Sequence, residues 1–500
     1  MTVSGVGAAL ALLALVACAA GCSDSSGGGG GSAGSAGAAG TAGSAGSAGA
    51  AGAAGAPCAE DATRTTEACW NGVGVTEQRC AGGVWGGDVC RLANLQLVSQ
   101  NTAGALGDDA SSAPSVSEDC SKVVFQSSAS NLVTGDGAGT GDVFLRDVST
   151  GVTSPVSVGV GASDSTGSSR DARITPDGAL VVFSSMRPNL VADDLNGVED
   201  VFVRDLRTNV TQLITRASDG SQADGDSYHP ELSDDGRFVV YASAARNLFT
   251  VSIRWPASKR SDVLITSRED GSTRLVSQAA DRTSGDGTSD FPAISGDGRY
   301  VAFVSDSSNL GAASPITGAQ IYLRDLTGET TTLLSAARDG SPGDGASGAP
   351  RMTSDGRYVV FSSEATNLVP GDTNGKRDVF VRELSTGMTH LVSLSTEGQL
   401  GDGDADFPQI AADGRYVAFV STSTNLVGRS LSGVAQIFVR DLQEGTTTLA
   451  GLAEGGAPGN QDAMSVALSP SGRCLAFGST ATNLVSLDVN LSQDVFLAPL

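Results

Sequence analysis

Short apolar runs separated by polar turns recur along most of this chain. Each repeating unit contains a run that ends in Ser before an Asp-Gly turn, a run such as YVAFVS, a loop followed by DVFVRDL, and a Thr-Gly turn followed by T-x-L-V-S. Apolar or alternating runs of this length, bounded by such turns, predict four β-strands in each unit. No helical period of useful length appears, so the pattern argues against a helical solenoid.

The unit occurs seven times at a nearly constant period. Its turn residue and a following Asn-Leu pair both recur at spacings of 58, 58, 62, 58, 58 and 58 residues. The turn residues are Asp119, Asp177, Asp235, Asp297, Asp355, Asp413 and Ser471, and the asparagines are Asn131, Asn189, Asn247, Asn309, Asn367, Asn425 and Asn483. Evenly spaced units of four short strands predict an all-β fold, a seven-bladed β-propeller.

The repeat sequences resemble those of the TolB-like, WD-repeat-like β-propeller family. The resemblance rests on SDDGRFVVYAS, SGDGRYVAFVS and TSDGRYVVFSS, each followed by Asn-Leu and a DVFVRDL-type strand, and it covers about residues 94–500. It implies the propeller fold. The motif is specific to the repeat and does not specify an activity.

The two ends of the repeat region complement each other. The seventh copy ends after its third strand, DVFLAPL, and the missing fourth strand matches LQLVS at residues 95–99. We therefore predict that this N-terminal strand completes the last blade and covers its open edge. Residues 91–500 then form one propeller domain.

Cys120 and Cys474 predict a covalent link where the first and last blades meet, which we call the seam. Cys120 replaces the turn Gly of the first copy, and Cys474 lies two residues past that turn in the seventh copy. Ring closure makes the two blades neighbours, so we predict a disulfide between them. The alternative is two free thiols, if equivalent turns lie farther apart than the roughly 5.5 Å that a disulfide prefers between Cα atoms.

The N-terminal region predicts export and a tether. Residues 1–21 contain an uncharged apolar stretch too short to span a membrane, which we interpret as an export signal. Small residues before Cys22 resemble a bacterial lipoprotein cleavage site, so we predict that Cys22 is lipidated; lipidation of Cys18 and a plain secretory signal are the alternatives. Residues 22–57 are rich in Gly, Ala and Ser and predict a flexible linker.

Residues 58–90 predict a small module stapled by disulfides. Cys58, Cys69, Cys80 and Cys90 are spaced 11, 11 and 10 residues apart, without the CxxC pair that would indicate zinc. Two disulfides would stabilise a module that is too small to fold on an apolar core alone. Both a ligand-binding module and a spacer fit this pattern.

Composition and charge exclude some partners. The chain has 500 residues, with 31 Lys and Arg against 55 Asp and Glu, and its formal net charge is −24. This balance excludes nucleic acid, because phosphate binding requires a basic face, and it leaves the lipid as the only predicted contact with a membrane. The hydrophobic content of 40% suits a globular protein, for which we expect a monomer.

Three loops between second and third strands carry the pattern D-x-N-x-x-x-D. Its residues are Asp194, Asn196 and Asp200; Asp372, Asn374 and Asp378; and Asp488, Asn490 and Asp494. Oxygen ligands at this spacing suit Ca²⁺, with backbone carbonyls or water completing the coordination shell. The alternative is an Asx turn that holds the strand end by hydrogen bonds. Copies four and six lose all three side chains together, which indicates that the three act as a unit.

Acidic residues recur in the loops that precede the first strand of each unit. Five of the seven copies carry Asp eleven residues before the turn residue: Asp108, Asp224, Asp286, Asp344 and Asp402. A cationic partner or divalent ions would explain this pattern, and so would Asx turns that shape the loops.

Two features break the repeat and are candidate binding sites. The insertion in copy three supplies Arg254, Trp255, Lys259 and Arg260, a basic aromatic patch that would bind a carboxylate-bearing peptide or a sugar, or would instead fold onto the next blade. His229 stands where two other copies have Phe291 and Phe407, at the entry to an innermost strand. It is either a channel residue with a function or a packed or solvated histidine.

The motifs favour a binding protein over an enzyme. The sequence contains no P-loop or HExxH motif. The pattern G-x-S-x-G occurs only at residues 30–34, inside the Gly-rich linker, where no predicted strand and helix flank it to form a nucleophile elbow. We therefore predict a non-enzymatic, lipid-anchored scaffold that binds a protein or glycan partner at the outer membrane or cell surface, with the periplasm as the alternative location. The alternative function is a channel-site hydrolase or lyase with structural calcium, which would require a cluster of non-repeating polar residues in the channel.

Overall fold

The computed structural model describes four short strands between residues 63 and 92, and residues 94–135, 141–160, 167–249, 260–311, 315–486 and 488–500. Within this part of the chain, no helix is long and apolar enough to cross a membrane. The predicted export signal, Cys22, the linker and Cys58 lie outside the described residues.

A small antiparallel sheet precedes the propeller. Its central strand β2 pairs with each of the other three strands. The strands are β1 (Thr63–Cys69), β2 (Gly74–Ala81), β3 (Val84–Trp85) and β4 (Val89–Leu92). The predicted disulfides among Cys58, Cys69, Cys80 and Cys90 involve side chains outside the described part of the chain, so they stay a prediction.

The repeats form seven four-stranded antiparallel blades, as the pattern and the resemblance to TolB-like propellers predict. Blades one to three contain β6 (Ser111–Val116), β7 (Lys122–Ser127), β8 (Asp142–Asp147), β9 (Val152–Pro155), β10 (Ser169–Ile174), β11 (Leu180–Ser185), β12 (Asp200–Asp205), β13 (Val210–Leu213), β14 (Ser227–Leu232), β15 (Phe238–Ser243), β16 (Asp262–Ser267) and β17 (Thr273–Leu275). Blades four to six contain β18 (Ser289–Ile294), β19 (Tyr300–Ser305), β20 (Gln320–Asp325), β21 (Thr330–Leu333), β22 (Ser347–Met352), β23 (Tyr358–Ser363), β24 (Asp378–Glu383), β25 (Met388–Leu391), β26 (Ala405–Ile410), β27 (Tyr416–Ser421), β28 (Gln436–Asp441) and β29 (Thr446–Ala450).

The seventh blade closes the ring as predicted. It is built from β30 (Ala463–Leu468), β31 (Cys474–Ser479), β32 (Asp494–Pro499) and, from the other end of the domain, β5 (Gln96–Leu97). Beyond β5, Val98 donates its amide to Val495 O at 2.8 Å, and Ser99 Oγ donates to Asp494 Oδ1 at 2.5 Å. Ser393 makes the same contact with Asp378 in blade five, so the closing strand reproduces the bonding of an ordinary fourth strand.

The blades have two kinds of ends. The loops from second to third strand, and from fourth strand to the next blade, lie at one end, which we call the loop face. The Asp-Gly and Thr-Gly turns lie at the opposite end, the turn face. Because the first strand of every blade is the innermost, the seven first strands line the central channel.

The hydrophobic core lies between adjacent blades. In one cluster, Val124 and Val143 of blade one pack with Phe183 and Leu190 of blade two. In six blades, aromatic rings on the second and third strands stack with centroids 5.3 to 6.0 Å apart. Strands buried on both faces explain why these runs are continuously apolar.

Blade-to-blade contacts on the turn face depend on the turn glycines. The residue two positions past each turn lies over the turn Gly of the next blade, in the pairs Lys122–Gly178, Leu180–Gly236, Phe238–Gly298, Tyr300–Gly356, Tyr358–Gly414 and Tyr416–Gly472. A Cβ on these glycines would lie 2.2 to 3.0 Å from the overlying side chain, and each glycine has a positive φ. Both facts exclude larger residues.

The disulfide Cys120–Cys474 replaces this contact at the seam. Cys474 is the residue two positions past the turn Gly of blade seven, and Cys120 takes the place of the turn Gly in blade one, so the same neighbour relation brings them together. Their Cα atoms are 6.3 Å apart, and both residues are buried. The predicted disulfide is therefore present, and the predicted distance problem does not arise.

Candidate functional site

The first strand of every blade contains a β-bulge that faces the channel. In all seven blades the pairing with the second strand shifts register, for example between Tyr228 and Glu231 of blade three. In six of them the residue after the start of the shift has a φ between 48° and 57°: Ala113, Asp171, His229, Phe291, Ala349 and Phe407. Bulges re-aim side chains, and a left-handed conformation destabilises a non-Gly residue by roughly 1–3 kcal/mol.

These six residues and Ser465 of blade seven, together the bulge ring, line one cavity of about 390 Å³. The cavity opens toward the loop face, since it also includes Val304 and Arg377 at the loop ends of their strands. The ring combines an acid, an imidazole, a hydroxyl, two methyl groups and two phenyl rings. Phe291 and Phe407 are 45% and 49% exposed. The channel mouth thus breaks the sevenfold repeat and leaves aromatic surface free for a ligand.

His229 lies in this cavity, held by its neighbours. Its Nδ1 is 2.8 Å from Asp290 Oδ1, and its ring stacks on Phe291 with centroids 4.2 Å apart. Tyr228 meets the ring edge-on at 5.1 Å. His229 therefore lines the channel, and the contacts fix one face of its ring against the wall.

Below the bulge ring, charged side chains narrow the channel. Arg173, Glu231 and Arg351 line both the cavity at the mouth and a second cavity of about 140 Å³ toward the turn face. Arg351 Nη1 lies 4.0 Å from Glu231 Oε2. Removal from bulk water lowers the pKa of the Arg351 guanidinium, and Glu231 opposes this while Arg173 adds to it. A ligand entering the mouth would meet both signs of charge at its floor.

Exposed aliphatic side chains mark the loop face around the channel. Leu195 in blade two is 84% exposed and Leu491 in blade seven is 81% exposed, and both stand on loops between second and third strands. Val158 and Val160 are exposed in the loop that leaves blade one, which lies between those two blades. These exposed aliphatic side chains therefore lie on the loop ends of three successive blades.

The recurring acidic residues of the loop face hold the loops together. Asp344 accepts the Thr366 amide at 2.7 Å, and Asn367 accepts the Asp344 amide at 3.1 Å while donating to Pro342 O at 3.0 Å. The same Asp–Asn clamp recurs around Asp108, Asp224, Asp286 and Asp402, with Asn460 in place of Asp in blade seven. The hydroxyls of Ser130 and Thr424 donate to Asp108 and Asp402 and lower the pKa of these carboxyl groups, and the backbone amide bonds lower it further. Of the two explanations offered by the sequence, loop shaping is the one that these contacts support.

Replacing Asn367 with Ala is expected to lower the free energy of unfolding by about 2 kcal/mol, because a half-buried amide and its two bonds are lost. Thr373→Ala, at an exposed position of the same loop, is the control and should change it by less than about 0.5 kcal/mol. Equilibrium urea unfolding measures both. Equal effects of the two variants would show that the clamp contributes nothing.

Each D-x-N-x-x-x-D triad is brought together by its loop. In blade five, Asn374 Nδ2 donates to Asp378 Oδ2 at 2.8 Å and to Gly401 O in the next loop at 3.1 Å, and Asn374 Oδ1 accepts the Lys376 amide at 3.0 Å. Asn196 and Asn490 make corresponding bonds to Ala223 O and Gly107 O. The asparagines therefore form the Asx turns that the sequence offered as the alternative.

The aspartates of the triads are buried and electrostatically strained. Burial, together with the charge of a neighbouring aspartate, raises the pKa of Asp200, Asp372 and Asp488 to about 6 in each case. Among the described residues, no group of three or more His, Cys, Asp or Glu is arranged to hold a metal ion. Any ion here would have to draw on the amide and backbone oxygens as well.

The basic aromatic patch of copy three is only partly within the described structure. Arg254, Trp255 and Lys259 lie outside it, and Arg260 is exposed. Its docking role stays a prediction.

The bulge ring is the main feature that the sequence analysis missed. Only His229 was singled out, although every ring residue stands six positions before the turn residue. Pro follows it in five copies: Pro114, Pro230, Pro292, Pro350 and Pro408. The sequence did carry a signal for the ring. A proline is tolerated on an edge strand because its missing N–H would have had no partner in the sheet, so the repeated Pro marks the inner edge strand, and the variable residue before it marks the ring position.

Comparisons with known proteins return fold similarities at low identity. No protein-family model and no curated protein match the chain. Among solved structures, an oligogalacturonate lyase in complex with manganese is 14% identical with a TM-score of 0.48, covering 89% of this chain and 98% of its own. The propeller domain of the trilobed protease from Pyrococcus furiosus is 10% identical with a TM-score of 0.47, covering 78% of this chain and 95% of its own. TolB from Acinetobacter baumannii is 14% identical with a TM-score of 0.35, covering 72% and 76%. Similarities of this size do not identify a function.

Proposed function

We propose that this chain is a non-enzymatic binding scaffold that holds a partner at the mouth of its channel. The bulge ring carries the proposal. Six non-Gly residues are kept in a left-handed conformation at one level of the channel, and they present different side chains there. Such strain, repeated at one level, is typical of functional sites.

The loop face supports a protein as the partner more than a glycan. Leu195, Val489 and Leu491 project aliphatic side chains into solvent, and these would be buried against another protein. Phe291 and Phe407 supply large apolar surfaces inside the mouth, where a partner side chain would insert. A glycan, which would stack on the same rings, is the second arm of the test below.

The cysteines support a location outside the cytoplasm. The Cys120–Cys474 disulfide favours an oxidising compartment, such as the periplasm or the cell surface. The predicted export signal, lipidated Cys22 and linker would place the propeller on the cell envelope, clear of the membrane surface.

A hydrolase or lyase is the weaker candidate. The His229–Asp290 pair has the geometry of a base and its orienting carboxylate. Among the described residues, however, no hydroxyl or thiol is hydrogen-bonded to the other ring nitrogen of His229, and no metal-binding group of three lies in the channel. We therefore retain the binding function as the proposal.

Ligands selected from a random peptide library and from a glycan array test it. Phe291→Ala combined with Phe407→Ala should weaken the selected ligand by roughly 10- to 100-fold, because two half-exposed rings that would be buried on binding are removed. Isothermal titration of the full chain measures the affinity. Met388→Ala, which removes an exposed side chain from an outer strand, should leave it unchanged.

The outcome also separates the two ligand classes. Enrichment of peptides that depend on both rings supports a protein partner, and enrichment of glycans alone replaces it with a sugar. Ligands whose affinity is the same for wild type and for the double variant would contradict a site at the channel mouth.

A further inference from the structure

The first residue of each third strand occupies an oxygen-rich position on the loop face. In blade one it is Asp142, whose Oδ2 lies 2.5 Å from Arg187 Nη2. In blades four and six it is a glutamine. Gln320 Nε2 donates to Gly343 O and Gly345 O of the next loop at 3.3 and 3.0 Å, and Gln436 Nε2 donates to Gly459 O at 3.0 Å. In blade one the aspartate is therefore paired with a cation, and in blades four and six an uncharged glutamine replaces it and donates from its amide.

Blades five and seven instead place a second carboxyl group there. Asp378 and Asp494 are fully buried, and Asp372 and Asp488 are 6% exposed. Asp372 Oδ1 and Asp488 Oδ1 have no hydrogen-bond partner in the described part of the chain. A buried carboxylate oxygen without a donor is strongly unfavourable, so these atoms point to a missing positive group.

The charges that shift the pKa of Asp372 and Asp488 are those of other aspartates. Besides burial, the pKa of Asp372 is raised by Asp378 and Asp344, and the pKa of Asp488 is raised by Asp494. A cation between the two carboxyl groups of each loop would turn this repulsion into attraction.

We propose that the loops of blades five and seven each bind one Ca²⁺ ion. In blade five the ligands would be the carboxylates of Asp372 and Asp378, the backbone oxygen of Gly401, and the Asn374 amide after a half-turn that exchanges its oxygen and nitrogen. In blade seven they would be Asp488, Asp494, Asn490 and the Gly107 carbonyl, so this ion would link the two ends of the ring. Hard oxygen ligands of mixed type, completed by water, suit Ca²⁺.

Blade two carries the same triad but lies outside the proposal. Arg216, which pairs with Asp193 at 2.6 Å, lowers the pKa of both Asp194 and Asp200. Neither aspartate has a buried oxygen without a partner. Blade two therefore already has a positive group and serves as the internal comparison.

Calcium titration of the full chain tests the proposal. After chelation, calorimetry at neutral pH with Mg²⁺ present should count two Ca²⁺ per chain. Asp372→Ser with Asp378→Gln copies Ser314 and Gln320 of blade four, so it should preserve the fold and leave one ion. Adding Asp488→Ser and Asp494→Gln should leave none. The matched blade-two variant, Asp194→Ser with Asp200→Gln, should still bind two.

Each result bears on the assignment. No heat of binding and no rise of the thermal midpoint at millimolar Ca²⁺ would overturn it, and so would undiminished binding by the four-residue variant. If that variant does not fold, as judged by circular dichroism, the loss of one ion from the blade-five variant and one from the blade-seven variant decides instead. An ion lost from the blade-two variant would overturn the restriction to two loops. Ligand binding at the channel mouth is measured separately, so the two proposals fail independently.

Discussion

Deleting residues 91–100 should lower the thermal unfolding midpoint of the propeller by roughly 6 °C. The deletion removes β5, the last two residues of β4, the buried side chain of Val98 and the half-buried Leu95 and Leu97. Lost apolar burial and several backbone bonds together amount to roughly 5 kcal/mol. An unfolding entropy of about 2.1 cal/mol/K per residue converts this loss into the expected shift. The exposed edge of β32 should also promote aggregation.

Two controls separate the effect of ring closure on the unfolding midpoint from the effects of a shorter chain and of one lost hydrogen bond. A deletion of residues 31–40, in the predicted linker, removes the same number of residues and should leave the midpoint unchanged. Ser99→Ala and Ser393→Ala remove the same hydroxyl from the closing strand and from blade five. Scanning calorimetry measures all four proteins. If both deletions give the wild-type midpoint, the N-terminal strand does not close the ring.

Removing the seam disulfide should destabilise the domain by about 6 kcal/mol at 25 °C in the chain-entropy model, because the bond encloses a loop of 354 residues. Cys120→Gly with Cys474→Ala is the suitable variant. Gly suits the φ of 64° at position 120, so the substitution adds no backbone strain. Urea unfolding of wild type and variant measures the loss.

A second variant separates the covalent bond from the contact it replaces. Cys120→Gly with Cys474→Tyr copies the pairing of Tyr416 with Gly472 at the preceding blade interface, and it should recover part of the stability through packing alone. Non-reducing peptide mapping of exported protein should show the Cys120–Cys474 peptide pair. Free thiols at both positions, or a variant as stable as wild type, would contradict a stabilising disulfide between Cys120 and Cys474.

The fold was predictable because each blade is specified by its own sequence. The repeat fixed the blade count, and the truncated seventh copy together with residues 95–99 identified the closing strand. The disulfide required one further relation. The residue two positions past a turn Gly contacts the turn Gly of the next blade, as Tyr300 contacts Gly356. The sequence shows that these residues recur in each copy, but it does not show that they touch.

The candidate site was less predictable because its signal is conformational. Ala113 and Ala349 are ordinary residues in the sequence, and their left-handed φ comes from the bulge. The triads show a different limit. The same three residues fit both an Asx turn and a cation site, and the structure assigns the asparagines to the turn while leaving oxygens of Asp372 and Asp488 without donors.

Hydrogen exchange of the full chain, with and without the peptide or glycan selected in the binding experiment, tests the channel-mouth site most directly. We expect slower exchange in the innermost strands that carry the exposed rings, Ser289–Ile294 and Ala405–Ile410, and in the adjoining loops of the loop face. We expect no change in the outer strand Met388–Leu391. Protection confined to outer strands or to the turn face would contradict a binding site at the channel mouth.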